Sequence, residues 1–227
     1  MTNRVMKLFR DPNSVIEAPG NMQTFEYPGL NLGAQHSSAD QKAQSLVFGF
    51  WVFMMSDAIL FGMAFATYGT MIPHGFAGGP TPRDIFHLGP AFIETMLLLA
   101  SSFTFGMATV AMKYRRATST IVAWLAVTGL LGVAFLILEW QDFSAMFAMG
   151  ATPQRSGFLS SFYGLVPLHG LHVTAGCIWL VCMLIQIGMH GMDDKTKLGI
   201  MRLAIFWHFL DIVWIFLFSV VYLGGLA

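Results

Sequence analysis

The chain has 227 residues, of which 56% are hydrophobic and only 11% charged, with a formal net charge of zero. Soluble domains carry roughly twice that charge, and a neutral chain has no bulk electrostatic pull toward nucleic acid. The charges cluster between long apolar runs, as expected where a mid-bilayer charge costs about 2.5–3.5 kcal/mol to insert. The composition therefore predicts an all-α, polytopic membrane protein.

Residues 1–45 are polar and rich in Pro, Gly and Asn, and Pro12 to Asp40 shows no sustained apolar period. This stretch is predicted to be a largely irregular arm, not a cleavable leader, because no apolar core follows a short basic start. The remainder, residues 46–227, divides into five runs of the length needed to cross a hydrocarbon core of about 30 Å. They are Leu46 to Ile72, Pro90 to Met112, Ser119 to Trp140, Phe158 to Met189 and Leu203 to Leu226. Pro73 helps end the first, and Pro90 suits the first turn of the second. The outer-loop pair Gly78–Gly79 reads as a turn.

Basic residues set the expected orientation. Arg4, Lys7, Arg10 and Lys42 lie before the first run, Lys113, Arg115 and Arg116 after the second, and Lys195, Lys197 and Arg202 after the fourth. With five crossings these three regions share one face, while only Arg83 and Arg155 occupy the other. The positive-inside rule then puts the N-terminus in the cytoplasm and the C-terminus on the periplasmic side.

Ionisable side chains within a span are functional candidates by default. Asp57 lies deep in the first run, either as a relay carboxyl or as a hydrogen-bonded packing residue. Glu94 sits near the outer start of the second and fits a relay group, a lipid contact or a buried hydrogen-bond partner. Glu139, beside Trp140, Gln141 and Asp142, is expected at the outer interface. His169 and His172 share a helix face. Their depth argues against a haem shared with His208: His172 should stand about 24 Å above the cytoplasmic end and His208 only about 8 Å. Interhelical hydrogen bonds are the expected use. His208 and Asp211, also three apart, fit a self-satisfied polar pair or a contact to headgroups or a partner near the cytoplasmic boundary. Cys177 and Cys182 fall on separate faces of one helix and read as small apolar residues. The chain has no nucleotide loop, zinc motif, nucleophile elbow or redox cysteine pair, so no catalytic, cofactor-binding or metal residue is expected.

Four motifs go further: Phe48-Gly49-Phe50-Trp51 running to Ser56-Asp57; Glu94-Thr95-Met96-Leu97-Leu98-Leu99; Ser156-Gly157-Phe158-Leu159 followed by His169-Gly170-Leu171-His172-Val173; and Phe206-Trp207-His208-Phe209-Leu210-Asp211. In this order they resemble subunit III of the haem–copper oxidase superfamily over Leu46 to the end. Five spans rather than seven, together with Ala77-Gly78-Gly79-Pro80-Thr81 and Arg155-Ser156-Gly157-Phe158, resemble the cytochrome bo-type ubiquinol oxidase branch.

The resemblance implies a non-catalytic subunit of a proton-translocating complex of the aerobic respiratory chain, in a bacterial inner membrane. Haems, copper and the quinol site would belong to subunit I. The partners would be subunits I, II and IV together with bound phospholipid. Asp57, Glu94, His169, His172, Trp207, His208 and Asp211 match the family's motifs and become candidate lipid or subunit contacts. The arginine with which the cytochrome c oxidase branch binds lipid has no counterpart at Gln186. The rival expectations are a cytochrome c oxidase subunit, a nitric oxide reductase accessory subunit and a stand-alone proton-coupled carrier. No internal repeat or matched broken helices favour the carrier.

Overall fold

The computed structural model describes residues 37–72, 88–114 and 116–226, all within one compact unit. Five long helices account for nearly all of them: α1 Ser37–Met71, α2 Leu88–Lys113, α3 Thr118–Ala148, α4 Gly157–His190 and α5 Asp194–Leu217. Among the described residues there is no strand. Each of the five is long and apolar enough to cross a membrane.

Local sequence explains where these helices begin and end. Ser156 caps α4 by accepting from the Leu159 N–H at 3.1 Å, and Asp193 caps α5 by accepting from the Thr196 N–H at 2.9 Å. Each satisfies one of the amides that a helix start leaves without a partner. Gly191 ends α4 at φ 72°, a left-handed conformation that glycine adopts without Cβ strain. Beyond Leu217 the chain stays helical through a π-helical stretch, Phe218–Leu223, that buries Val221 and Tyr222.

The boundaries of α2 and α4 match the apolar runs closely. Three other ends do not. The α1 backbone is helical from Ser37, earlier than the expected start near Leu46. Helix α3 continues past Trp140 to Ala148, and α5 begins at Asp194 instead of near Leu203. Polar segments can extend a helix beyond the hydrocarbon because the intrahelical ladder satisfies their backbone in either medium. Residues 1–36 and the outer loop with Gly78–Gly79 and Pro80 lie outside the described residues.

Helices α2, α3, α4 and α5 pack as a ring, with α2 against both α3 and α5 and α4 against both α3 and α5. Helix α1 packs outside it on α4 and α5. The core is aromatic: Phe61, Phe105, Phe135, Phe158, Phe162 and Trp214 are all fully buried. Close approach is allowed by small residues, as is general between membrane helices. A Cβ at Gly132 would stand 2.9 Å from the Trp207 indole, and one at Gly176 would stand 3.3 Å from its other edge. Trp207 of α5 is thus clasped between α3 and α4. Cys177 is buried and Cys182 exposed, both as free thiols.

Candidate functional site

The candidate residues fall into three polar groups inside the bundle. The first joins α2 to α5. The Trp207 indole N–H donates to Ser101 Oγ at 3.0 Å, and Ser101 Oγ passes its own hydrogen to the Leu98 carbonyl at 2.7 Å. At the next residue of each helix, Ser102 Oγ lies 2.8 Å from His208 Nδ1 and also hydrogen-bonds Asp211. A hydroxyl has a single hydrogen to give. The order of donors along His208, Ser102 and Asp211 must therefore run one way or the other, which ties the state of the histidine to that of the carboxyl. Nearer the start of α2, the Trp214 N–H donates to Thr95 Oγ1 at 3.1 Å, and nearer its end Thr104 meets Thr128 of α3 at 2.8 Å.

The placement of this group corrects the expected depth. Because α5 starts at Asp194, His208 stands about 21 Å along it, and His172 about 27 Å from the inner end of α4. The two lie at similar levels: the Phe61 ring sits 5.1 Å from His172 and 6.3 Å from Phe209. Unequal depth therefore does not separate them, and His208 and Asp211 lie near the middle of the fifth apolar span, Lys195–Leu223, instead of close to its start.

What occupies the two helix-four histidines is local geometry. His172 Nδ1 lies 2.7 Å from the Leu168 carbonyl, which only accepts, so this nitrogen carries the hydrogen. Its Nε2 then faces Asp57 Oδ2 of α1 at 3.8 Å, with both side chains mostly buried. This cross-helix pair forms the second group. His169 is fully buried and turned elsewhere, 5.3 Å from the Trp214 ring, 6.0 Å from Phe135 and 6.3 Å from Phe61. Among the described residues no three His, Cys, Asp or Glu side chains gather as a metal site.

The third group is carboxyl-rich and lies toward the end of the bundle where α2 and α4 begin and α3 ends. Glu94 of α2 is 1% exposed and neither of its oxygens has a hydrogen-bond partner. Glu139 of α3, expected at the outer interface, is 6% exposed. Its side chain is turned into the bundle and abuts α4: a Cβ at Gly170 would stand 2.6 Å from its Oε2. Tyr222, brought in by the π-helical stretch, interacts electrostatically with Glu94, Glu139, Asp142 and Tyr68. The Tyr68 hydroxyl of α1 is buried without a partner. Beside Glu139 a groove of about 610 Å³ opens between α3 and α4, floored by Gly170 and Pro167.

Residue reading alone therefore located the seven candidates but not the groups they form. Ser101, Ser102, Thr95, Tyr68 and Tyr222 were missed. Serines and threonines carry no charge signal, and tyrosines in apolar runs read as core.

Comparison with known proteins follows the same outline. The family model for cytochrome c oxidase subunit III matches residues 29–226. The chain is similar to cytochrome bo(3) ubiquinol oxidase subunit 3 of Pseudomonas aeruginosa, 45% identical over 86% of this chain and 92% of the relative. It is 49% identical to the protein of the same name from Pseudomonas putida, over 80% and 87% of the two chains. It is 39% identical to quinol oxidase subunit 3 of Bacillus subtilis, over 91% and 99%. The chain therefore belongs to the cytochrome c oxidase subunit III family.

Proposed function

We propose that this chain is the non-catalytic subunit III of a quinol-oxidising respiratory oxidase, acting by helix packing to support the subunits that carry the redox centres. The observation that carries the reading is similarity over nearly the whole length to proteins named as quinol oxidase subunits 3, from both Pseudomonas and Bacillus. The way the bundle uses its polar groups agrees with it. Trp207 and Trp214 donate to Ser101 and Thr95 across helices, Ser102 meets His208 and Thr104 meets Thr128, contacts that join one helix to another as in a scaffold.

Helix α1 supplies the surface. Only 17% of its most apolar window is buried, the least of the five spans, and it presents Phe48, Trp51, Phe53, Ile59 and Met63 outward. In the proposed complex that face meets subunit I or lipid, and bound phospholipid fills apolar surface that the subunits leave open. The inner membrane is the proposed location, with the basic loops on the cytoplasmic side and the C-terminus periplasmic. Haems and copper are assigned to subunit I, and subunits II and IV complete the assembly.

Purification in mild detergent followed by mass spectrometry and an optical spectrum tests this. Haem-bearing partners and quinol-driven oxygen uptake should copurify with the chain, and deleting it should shorten the lifetime of the complex more than it lowers initial turnover. A chain that emerges without haem-bearing partners would instead be the carrier. A copper-binding subunit II among the partners would assign cytochrome c as the donor. A haem spectrum from the isolated chain would sink the non-catalytic role.

A further inference from the structure

The groove between α3 and α4 is not used by the packing described above. Its volume of about 610 Å³ lies within the range of sites that hold small organic ligands, roughly 300–1,000 Å³. Its walls are apolar, with Val133, Ile137 and Leu171 all more than 40% exposed toward it or the surrounding membrane. The α3 extension sets Trp140 and Phe143 at one end. Between rings and walls sits Glu139, whose Oε1 is buried without a hydrogen-bond partner.

This polarity pattern selects an occupant. Thr174 spends its hydroxyl on the Gly170 carbonyl of its own helix at 2.8 Å. The Glu139 carboxyl and the neutral Gln141 amide are then the polar side chains of the groove beside the Trp140 indole, and no Lys, Arg or His lines it. A phospholipid headgroup would bring a phosphate to a wall without a cation and beside a carboxyl, which is costly at low dielectric. A neutral amphiphile with an O–H donor meets no such cost. A hydroquinone with an isoprenoid tail fits each part: its O–H toward Glu139, its ring beside Trp140 or Phe143, its tail along Val133, Ile137 and Leu171. Gly170 makes the fit available, since any side chain there would displace the Glu139 carboxyl.

We propose that the α3–α4 groove binds a membrane quinol through Glu139, as an accessory site on this subunit separate from the redox centres. The inference rests on the quinol oxidase reading above. It is a binding step only, with no electron transfer at the groove.

The test uses the intact purified oxidase and a diazirine-bearing, short-tailed ubiquinol under anaerobic reducing conditions, with adducts mapped by peptide mass spectrometry. Adducts are expected on α3 or α4 around residues 133–143 and 167–174, competed by unlabelled short-tailed ubiquinol. Val133→Trp fills the groove from a half-exposed position and should cut those adducts at least tenfold. Glu139→Ala should reduce them similarly. Leu130→Trp, a highly exposed α3 position outside the groove, should leave them unchanged and controls for folding. Adducts in other subunits but none on α3–α4 would overturn the site alone. So would adducts insensitive to Val133→Trp, or phospholipid held there that excess ubiquinol fails to displace. A complex that oxidises no quinol and labels nowhere would overturn both the site and the reading beneath it.

Discussion

Replacing Gly132 by Ala tests whether Trp207 is the clasp of the bundle. The added Cβ would stand 2.9 Å and 3.0 Å from two indole carbons and 3.1 Å from Cys177 Sγ, against ordinary contacts of 3.4–4 Å. Trp207 has little room to yield. It is 3% exposed, its N–H is held by Ser101, its ring lies against Phe105, and its far edge faces Gly176 so closely that a Cβ there would stand 3.3 Å away. Overpacking of a filled core costs about 1–3 kcal/mol. A glycine-to-alanine change in a helix returns about 0.5–1 kcal/mol through backbone entropy. The net lies between about zero and a loss of about 2.5 kcal/mol, with a midpoint near 1.3 kcal/mol, or about an eightfold fall in the folded ratio. Unfolding of the detergent-solubilised chain in increasing SDS, followed by circular dichroism, measures it. Gly106→Ala is the matched control, since nothing lies within 4 Å of its Cβ, and it should be neutral or slightly stabilising. A Gly132→Ala chain as stable as Gly106→Ala would refute the clasp.

The other predictions follow from the same contacts. Ser102→Ala removes the hydroxyl between His208 and Asp211 and should cost about 0.6–1.7 kcal/mol, the scale of membrane interhelical hydrogen bonds. In the same SDS titration, Ser102→Thr, which keeps the hydroxyl, should recover most of that loss. Phe61→Ala opens a cavity against His169, His172 and Phe209 and should destabilise by about 3 kcal/mol, read as earlier loss of the chain from the heated complex. Asp193, outside the spans, has its carboxyl held below the usual range by hydrogen bonds from Thr196. A lowered carboxyl stabilises above its ordinary value of 3.8 and loses that contribution as pH falls below it. The protection of the Thr196 amide against exchange, taken relative to its intrinsic rate at each pH, should therefore fall on acidification below that value in the native chain. Asp193→Asn should show no such pH step.

Hydropathy recovered the five crossings because each apolar run is long, and the two helices flanked by turn residues, α2 and α4, were placed closely. It misplaced the ends of α3 and α5 for one physical reason. A transfer scale registers where the hydrocarbon is, whereas a helix continues wherever its backbone ladder does. Residues 141–148 and 194–202 are too polar to score as membrane yet remain helical. Counting His208 from Leu203 also hid that His172 stands beside Phe206, level with the His208 turn, and with that the argument from unequal histidine depth falls.

Pairing between helices was the larger gap. Trp207 meets Ser101 across 106 positions, and Trp214 meets Thr95 across 119. Which residues meet depends on the rotation of each helix about its axis. In soluble helices that rotation is written as an apolar stripe. Here the lipid-facing side is as apolar as the core, so no stripe marks which face turns inward. What does mark it is size and hydrogen-bonding capacity. Gly132, Gly170 and Gly176 lie where another helix comes close, and Ser101, Ser102 and Thr104 lie where a partner side chain needs an acceptor or donor. In a five-helix chain of this composition, the glycines and hydroxyls therefore carry the tertiary information that hydrophobicity carries in water. Where neither a small residue nor a hydroxyl answers a buried polar group, as at Glu94, His169 and Glu139, the group is left without a hydrogen-bond partner inside the bundle, and of these three Glu139 alone lines the α3–α4 groove.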